Sequence, residues 1–204
     1  MRWPILSLAL LALAACAAPP PLLDLSGRAC AASPDFISAR PVALSDPMRP
    51  DTVHLRIDDT APCLATQQGK SLYGAFRLPD STASFMIAVR SLPVGQGLFV
   101  PRLLLYDGTG ALTREIGRDE LEFRGETLTV LIRSHPGERY LVVASTPQSI
   151  GQAETRISES TRTSTSSGGG VSFAVHTGVD AAHTYVYAHD GLIWVYAATI
   201  PSRP

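Results

Sequence analysis

Phe99-Val-Pro-Arg-Leu-Leu-Leu-Tyr-Asp-Gly-Thr-Gly-Ala-Leu112 is an apolar run, a turn and a return. Leu103, Leu104, Leu105 and Tyr106 read as a strand buried on at least one face. Asp107-Gly108-Thr109-Gly110 supplies residues that tolerate positive φ, so the chain reverses there. Val142, Val143 and Ala144 repeat the apolar density. Leu98–Thr146 is therefore read as the centre of an antiparallel β domain, and nothing in it has the pattern of an active site.

The flanking segments extend this strand by strand. Val53–Ile57 alternates with period two. Tyr73–Leu78, Phe85–Val89, Ala111–Ile116, Thr127–Arg133 and Arg139–Ser145 follow, separated by Gly, Pro and Asp turns such as His135-Pro136-Gly137-Glu138. Arg118–Arg124 is the one stretch that suits a helical turn, closed by Gly125. Val171–Val175, Thr184–Tyr187 and Leu192–Tyr196 return as strands, the last after the tight turn His189-Asp190-Gly191. Between them, residues 156–170 are polar and of low complexity, ending in three glycines, and are expected to form a mobile Ser/Thr/Gly-rich loop at a rim. The fold class expected is all-β: a single-domain antiparallel β-sandwich or jelly roll over residues 51–200.

Met1–Pro4 carries one positive charge, and Ile5–Ala15 is uncharged, the length of a signal peptide's apolar region and short for a bilayer span. The run ends in Leu13-Ala14-Ala15-Cys16, which resembles the lipobox of bacterial lipoproteins. The resemblance implies removal of residues 1–15 and acylation of Cys16. Two or three acyl chains hold a membrane where one holds marginally, since each buried CH₂ contributes roughly 0.8 kcal/mol. Ala17 in place of an aspartate favours the outer membrane, on the periplasmic side. Pro19-Pro20-Pro21 opens a Pro/Ala-rich tether and arm over residues 16–50, where Phe36 and Ile37 are candidates to dock on the domain.

With Cys16 lipidated, Cys30 and Cys63 remain, an even remainder that in an exported chain indicates a disulfide, the alternative being two free thiols. Their spacing matches no zinc pattern. Charged residues make up 17% and the formal net charge is −1, so no field favours nucleic acid.

Phe76-Arg-Leu-Pro79, the Phe99–Asp107 run and His189-Asp-Gly-Leu-Ile-Trp-Val195 resemble the maltose-operon periplasmic protein (MalM) family, over roughly residues 72–197. The Phe99–Asp107 run together with Gly137–Val143 is also similar to the bacterial pre-peptidase C-terminal β-sandwich. Both resemblances imply an exported β-sandwich without catalysis of its own, and the first implies an accessory role near carbohydrate uptake. Neither supplies catalytic residues.

The residues agree on chemistry. There is no G-x-S-x-G, H-E-x-x-H, Walker or dinucleotide pattern. His176, His183 and His189, with Asp180 and Asp190, match no ligand spacing, so no metal and no cofactor is expected. Asp107 reads as a turn cap, and Ser160–Ser167 has no base placed beside it. Trp194, Tyr196 and Tyr187 are candidate ligand-binding residues, because exposed aromatic rings stack on sugars. In period two, Trp194 and Tyr196 share one face and Ile193 and Val195 the other. The aromatic face is then either an open platform or packing beneath the arm. The expected function is a non-enzymatic envelope lipoprotein, membrane-held through its acyl chains, with a binding or accessory role linked to carbohydrate. The alternative is a structural or assembly lipoprotein that holds a protein partner in the envelope.

Overall fold

The computed structural model describes residues 21–168 and 171–200. In chain order the strands are β1 (Arg40–Pro41), β2 (Leu44–Ser45), β3 (Val53–Ile57), β4 (Cys63–Thr66), β5 (Gly69–Arg77), β6 (Phe85–Leu92), β7 (Gly97–Phe99) and β8 (Pro101–Asp107). They continue with β9 (Leu112–Ile116), β10 (Glu122–Arg124), β11 (Thr127–Arg133), β12 (Glu138–Ser145), β13 (Ala153–Gly168), β14 (Val171–Ala188) and β15 (Gly191–Thr199). Short 3₁₀ turns lie at Arg118–Glu120 and Pro147–Ser149. No helix among the described residues is long and apolar enough to cross a membrane.

Two sheets pack face to face. The first runs β1-β5-β12-β8-β9, with β4 also paired to β5; the second runs β10-β11-β6-β15-β2, with β3 also paired to β15. Their facing side chains form one core, from Leu72, Phe76, Leu103, Leu105, Leu141 and Val143 on one side to Ile57, Ile87, Val89, Leu128, Ile193 and Val195 on the other. All-β architecture is thus what the alternating runs specify. The main ladders are antiparallel, while the short β1–β5, β15–β2 and β14–β7 pairs are parallel.

The Leu103–Tyr106 run is buried on both faces. Leu103 and Leu105 point into the main core, whereas Leu104 and Tyr106 join Tyr73, Ala75, Val142 and Ala144 in a second cluster on the outer side of the first sheet. The N-terminal arm covers that side: the Phe36 ring stacks on Tyr140 at 4.4 Å and meets Tyr106 edge-on at 5.1 Å. Ile37 is fully exposed, so only one of the two candidate docking residues docks. The arm then supplies β1 to the first sheet and β2 to the second. The Cys30–Cys63 disulfide forms and ties it to β4. Among the expected turns, Asp107 caps its own loop, accepting from the Thr109 hydroxyl and from the backbone N–H of Ala111 and Thr109, and these bonds, the hydroxyl's foremost, hold its carboxyl below the usual range.

Of residues 156–170, expected as loop, 169 and 170 lie outside the described residues, and the rest differ most from the expectation. Residues 153–168 are strand, paired antiparallel with β14 from Ala153↔Val186 to Gly168↔Val171. Ser and Thr run on without an apolar face of their own, but each residue gains a ladder partner from β14, and threonine suits a pleated ribbon. β7 then pairs with β14 over Val186–Ala188 and joins the ribbon to the body.

Candidate functional site

β15 lies inside the second sheet, with β6 on one side and β3 and β2 on the other. Its residues alternate: Ile193, Val195 and Ala197 are buried in the sandwich, and Leu192, Trp194 and Tyr196 stand half-buried on the outer face. Register fixes their neighbours. Trp194 lies between His54 of β3 and Arg90 of β6, Leu192 between Arg56 and Leu92, and Tyr196 beside Ala88. One strand further, Thr129, Leu131 and Arg133 of β11 sit opposite Arg90, Ala88 and Met86. Glu122 and Arg124 of β10 complete the edge opposite Thr129 and Thr127.

The contacts on this face are aromatic and cationic. The His54 ring stacks on the Trp194 indole at 4.5 Å and 15°. The Arg90 guanidinium lies over the Tyr196 ring at 5.9 Å, a cation–π distance. Trp194 Nε1–H has no acceptor among the described residues, so the indole is held by ring contacts and packing rather than by a polar tether. Ala88 and Thr129 are small and buried, which makes a low floor between the larger side chains. The Phe36 cluster of the arm lies on the other sheet, and Trp194 and Tyr196 stand on the side of β15 opposite Ile193 and Val195.

Tyr187 does not join Trp194 and Tyr196. β14 belongs to the ribbon, and its Tyr187 ring turns inward, 4% exposed. Arg118 Nη2 donates to the Tyr187 hydroxyl at 3.1 Å, and the guanidinium lies 5.8 Å from its ring. Sequence nearness misplaces Tyr187 because the turn at His189–Gly191 carries the chain from the ribbon into the second sheet. Around Arg118 a separate cluster forms: Arg156 lies over the Phe123 ring at 4.1 Å, and Tyr185 stacks on Phe123 at 6.3 Å. Burial raises the Tyr185 phenol above its ordinary pKa, and Glu126 adds to it. This cluster borders a cleft of about 350 Å³ whose lining also includes His183.

The late histidines separate. His183 Nε2 is 3.5 Å from Glu126, whereas His189 is buried and its Nδ1 lies 2.7 Å from Ser145 Oγ. His176 and the Ser160–Ser167 side chains fall outside the described ones, as does Cys16. No group of three His, Cys, Asp or Glu among the described residues is placed to hold a metal. The Ser145–His189 pair is a structural tie. Ser145 Oγ accepts from the Leu72 backbone N–H at 3.2 Å, and the serine is fully buried.

Comparison of the chain with protein-family models, with curated proteins and with solved structures gives no match. Sequence reading missed His54, Arg56, Arg90, Met86 and Leu131 as parts of the outer face. The signal lay in Phe85–Leu92, where Met86, Arg90 and Leu92 recur on alternate positions against the buried Ile87, Val89 and Ser91. It becomes legible only once β6 is known to neighbour β15.

Proposed function

We propose that the chain is a non-enzymatic lipoprotein of the bacterial cell envelope, anchored at Cys16 on the periplasmic side, more specifically of the outer membrane. Its outer sheet face binds carbohydrate. The observation that carries the reading is the placement of Trp194 and Tyr196, half-buried and side by side on the face of the second sheet turned away from the sandwich core. Aromatic rings fixed at a rigid sheet surface offer an apolar plane to the C–H face of a sugar, and neighbouring Arg and Thr groups supply donors for hydroxyls. Resemblance of the Phe99–Asp107 run to the MalM family supports an accessory role beside maltodextrin-type uptake. The test is a glycan-array screen of the full-length chain in mild detergent, alongside Trp194→Ala. Binding that falls with the substitution is expected; retention of binding in the variant moves the site elsewhere, and no binding in either form rejects the reading.

A second reading is an assembly lipoprotein that holds a protein partner. The β13–β14 ribbon favours it. Among the described residues the ribbon's only other ladder is the three-residue pairing with β7. A two-stranded ribbon is marginal alone in water, and its open edges are templates for a further strand. Cross-linking in intact envelopes, compared with a chain shortened in residues 158–180, separates this reading from the first.

A further inference from the structure

We propose that the Trp194 face is selective for acidic saccharides, polymers bearing carboxylate or phosphate groups, over neutral ones. This rests on the carbohydrate reading above and adds the charge of the ligand to it.

The argument is the distribution of charge around the aromatic pair. Register places four guanidinium groups and one imidazole on the outer face of the second sheet: Arg56 and His54 on β3, Arg90 on β6, Arg133 on β11 and Arg124 on β10. Among the described strand residues of this face the single carboxylate is Glu122, at the far edge, 3.9 Å from Arg124; Asp58 and Asp190 lie just beyond the ends of β3 and β15. Elsewhere among the described residues five arginines are ion-paired, Arg102 with Glu115, Arg114 with Glu138, Arg118 and Arg156 with Glu154, and Arg139 with Asp80, while Arg28 and Arg40 donate to backbone carbonyls instead. Among the described residues, Arg56, Arg90 and Arg133 have no carboxylate within ion-pair distance. The nearest acid felt by Arg56 is Asp58, whose exposed carboxylate already accepts from the Thr60 hydroxyl and backbone N–H.

The unpaired cations also surround the rings. Arg90 is the cross-strand neighbour of Trp194 and covers the Tyr196 ring. Arg56 neighbours Leu192, one pair along the same strand. Arg56 and Arg90 lie on strands flanking β15, offset by two residues along it, so their backbones stand roughly 12 Å apart on the diagonal. A sugar seated on Trp194 thus has a guanidinium on either side of it. A guanidinium stacked on an aromatic ring keeps its N–H edge for a carboxylate or phosphate, which it meets in bidentate geometry. A neutral polysaccharide would use the rings but leave these charges uncompensated. A polyanion with recurring charges engages more than one. The chain as a whole carries a formal charge of −1, so the cationic character belongs to this face and not to the molecule.

The test is retention of the full-length chain, in mild detergent, by immobilised polygalacturonate (acidic) and immobilised pullulan (neutral). Three proteins are compared: the unaltered chain, Trp194→Ala, and the double variant Arg56→Gln with Arg90→Gln. The expected result is retention on polygalacturonate that weakens with added salt, is lost in Trp194→Ala, and is about tenfold weaker in the double variant, through the loss of two solvent-facing, salt-screened charge contacts. Salt dependence of the unaltered chain stands as the readout should the double variant melt early. Equal or stronger retention on pullulan, unmoved by salt, overturns the acidic preference and leaves the carbohydrate reading standing. Retention on neither overturns both.

Discussion

At the scale of single residues, the buried tie between Ser145 and His189 sets how the protein answers acid. Ser145 Oγ takes a hydrogen bond from the Leu72 backbone N–H and shares a second with His189 Nδ1. Burial pushes the His189 pKa below the ordinary value of 6.5, and the adjacent Asp190 opposes this only in part. The unfolded chain takes up a proton near pH 6.5 that the folded chain resists. The contribution of His189 is thus complete above that pH and is lost as pH falls toward its lowered folded value. Thermal melts are expected to show a lower Tm at pH 5 than at pH 7.5. His189→Gln, whose side-chain amide can still hydrogen-bond Ser145, should flatten that slope. An unchanged slope in the variant would assign the acid sensitivity to other groups.

At the scale of elements, what was legible depended on whether a segment carries its own apolar face. Val53–Ile57 and Thr127–Arg133 alternate cleanly and are strands over those very residues. The Leu103–Tyr106 run was read as strand, but its burial on both faces comes from the arm, which no local pattern encodes. Residues 153–168 have no apolar stripe, and their pairing is a property of β14 rather than of their own composition. The same limit hid the platform: Trp194 and Tyr196 were visible as a pair, but Arg90 and His54 enter only through register. Ion pairs obey it too. Arg114 of β9 meets Glu138 of β12 with Nε at 2.7 Å and Nη2 at 3.1 Å, although the two strands flank β8 rather than touch. The Glu138 side chain is 1% exposed and also accepts from the His135 backbone N–H. Arg114→Ala would leave that carboxylate buried without its cation, a change expected to cost about 3 kcal/mol, toward the low end for such pairs because the arginine is partly exposed. Urea unfolding checks it; a loss under about 1 kcal/mol would class the pair with ordinary surface salt bridges.

At the scale of the whole molecule, the arm makes two sheets into one cooperative unit. Leu25 and Val42 belong to the same core as Phe76 and Ile193, Phe36 closes the cluster on the outer side, and β1 and β2 extend one sheet each. The Cys30–Cys63 bond therefore acts on a segment that is already packed, across a sequence separation of 33. Its effect is expected in the unfolded ensemble, where closing a loop of that length removes entropy worth about 4 kcal/mol. The double variant Cys30→Ala with Cys63→Ala should keep the fold and unfold at lower urea. Trp194 is a convenient reporter, because Trp3, the other tryptophan, lies in the segment expected to be cleaved. Trp194 sits on the second sheet and the disulfide on the first, so its fluorescence reads a distant part of the same core. If arm and sandwich unfold together, the fluorescence and far-ultraviolet circular dichroism transitions of the variant coincide and both move to lower urea than in the parent chain. Two separated transitions, with Trp194 unaffected by the first, would instead make the arm a dispensable strap held by its covalent bond.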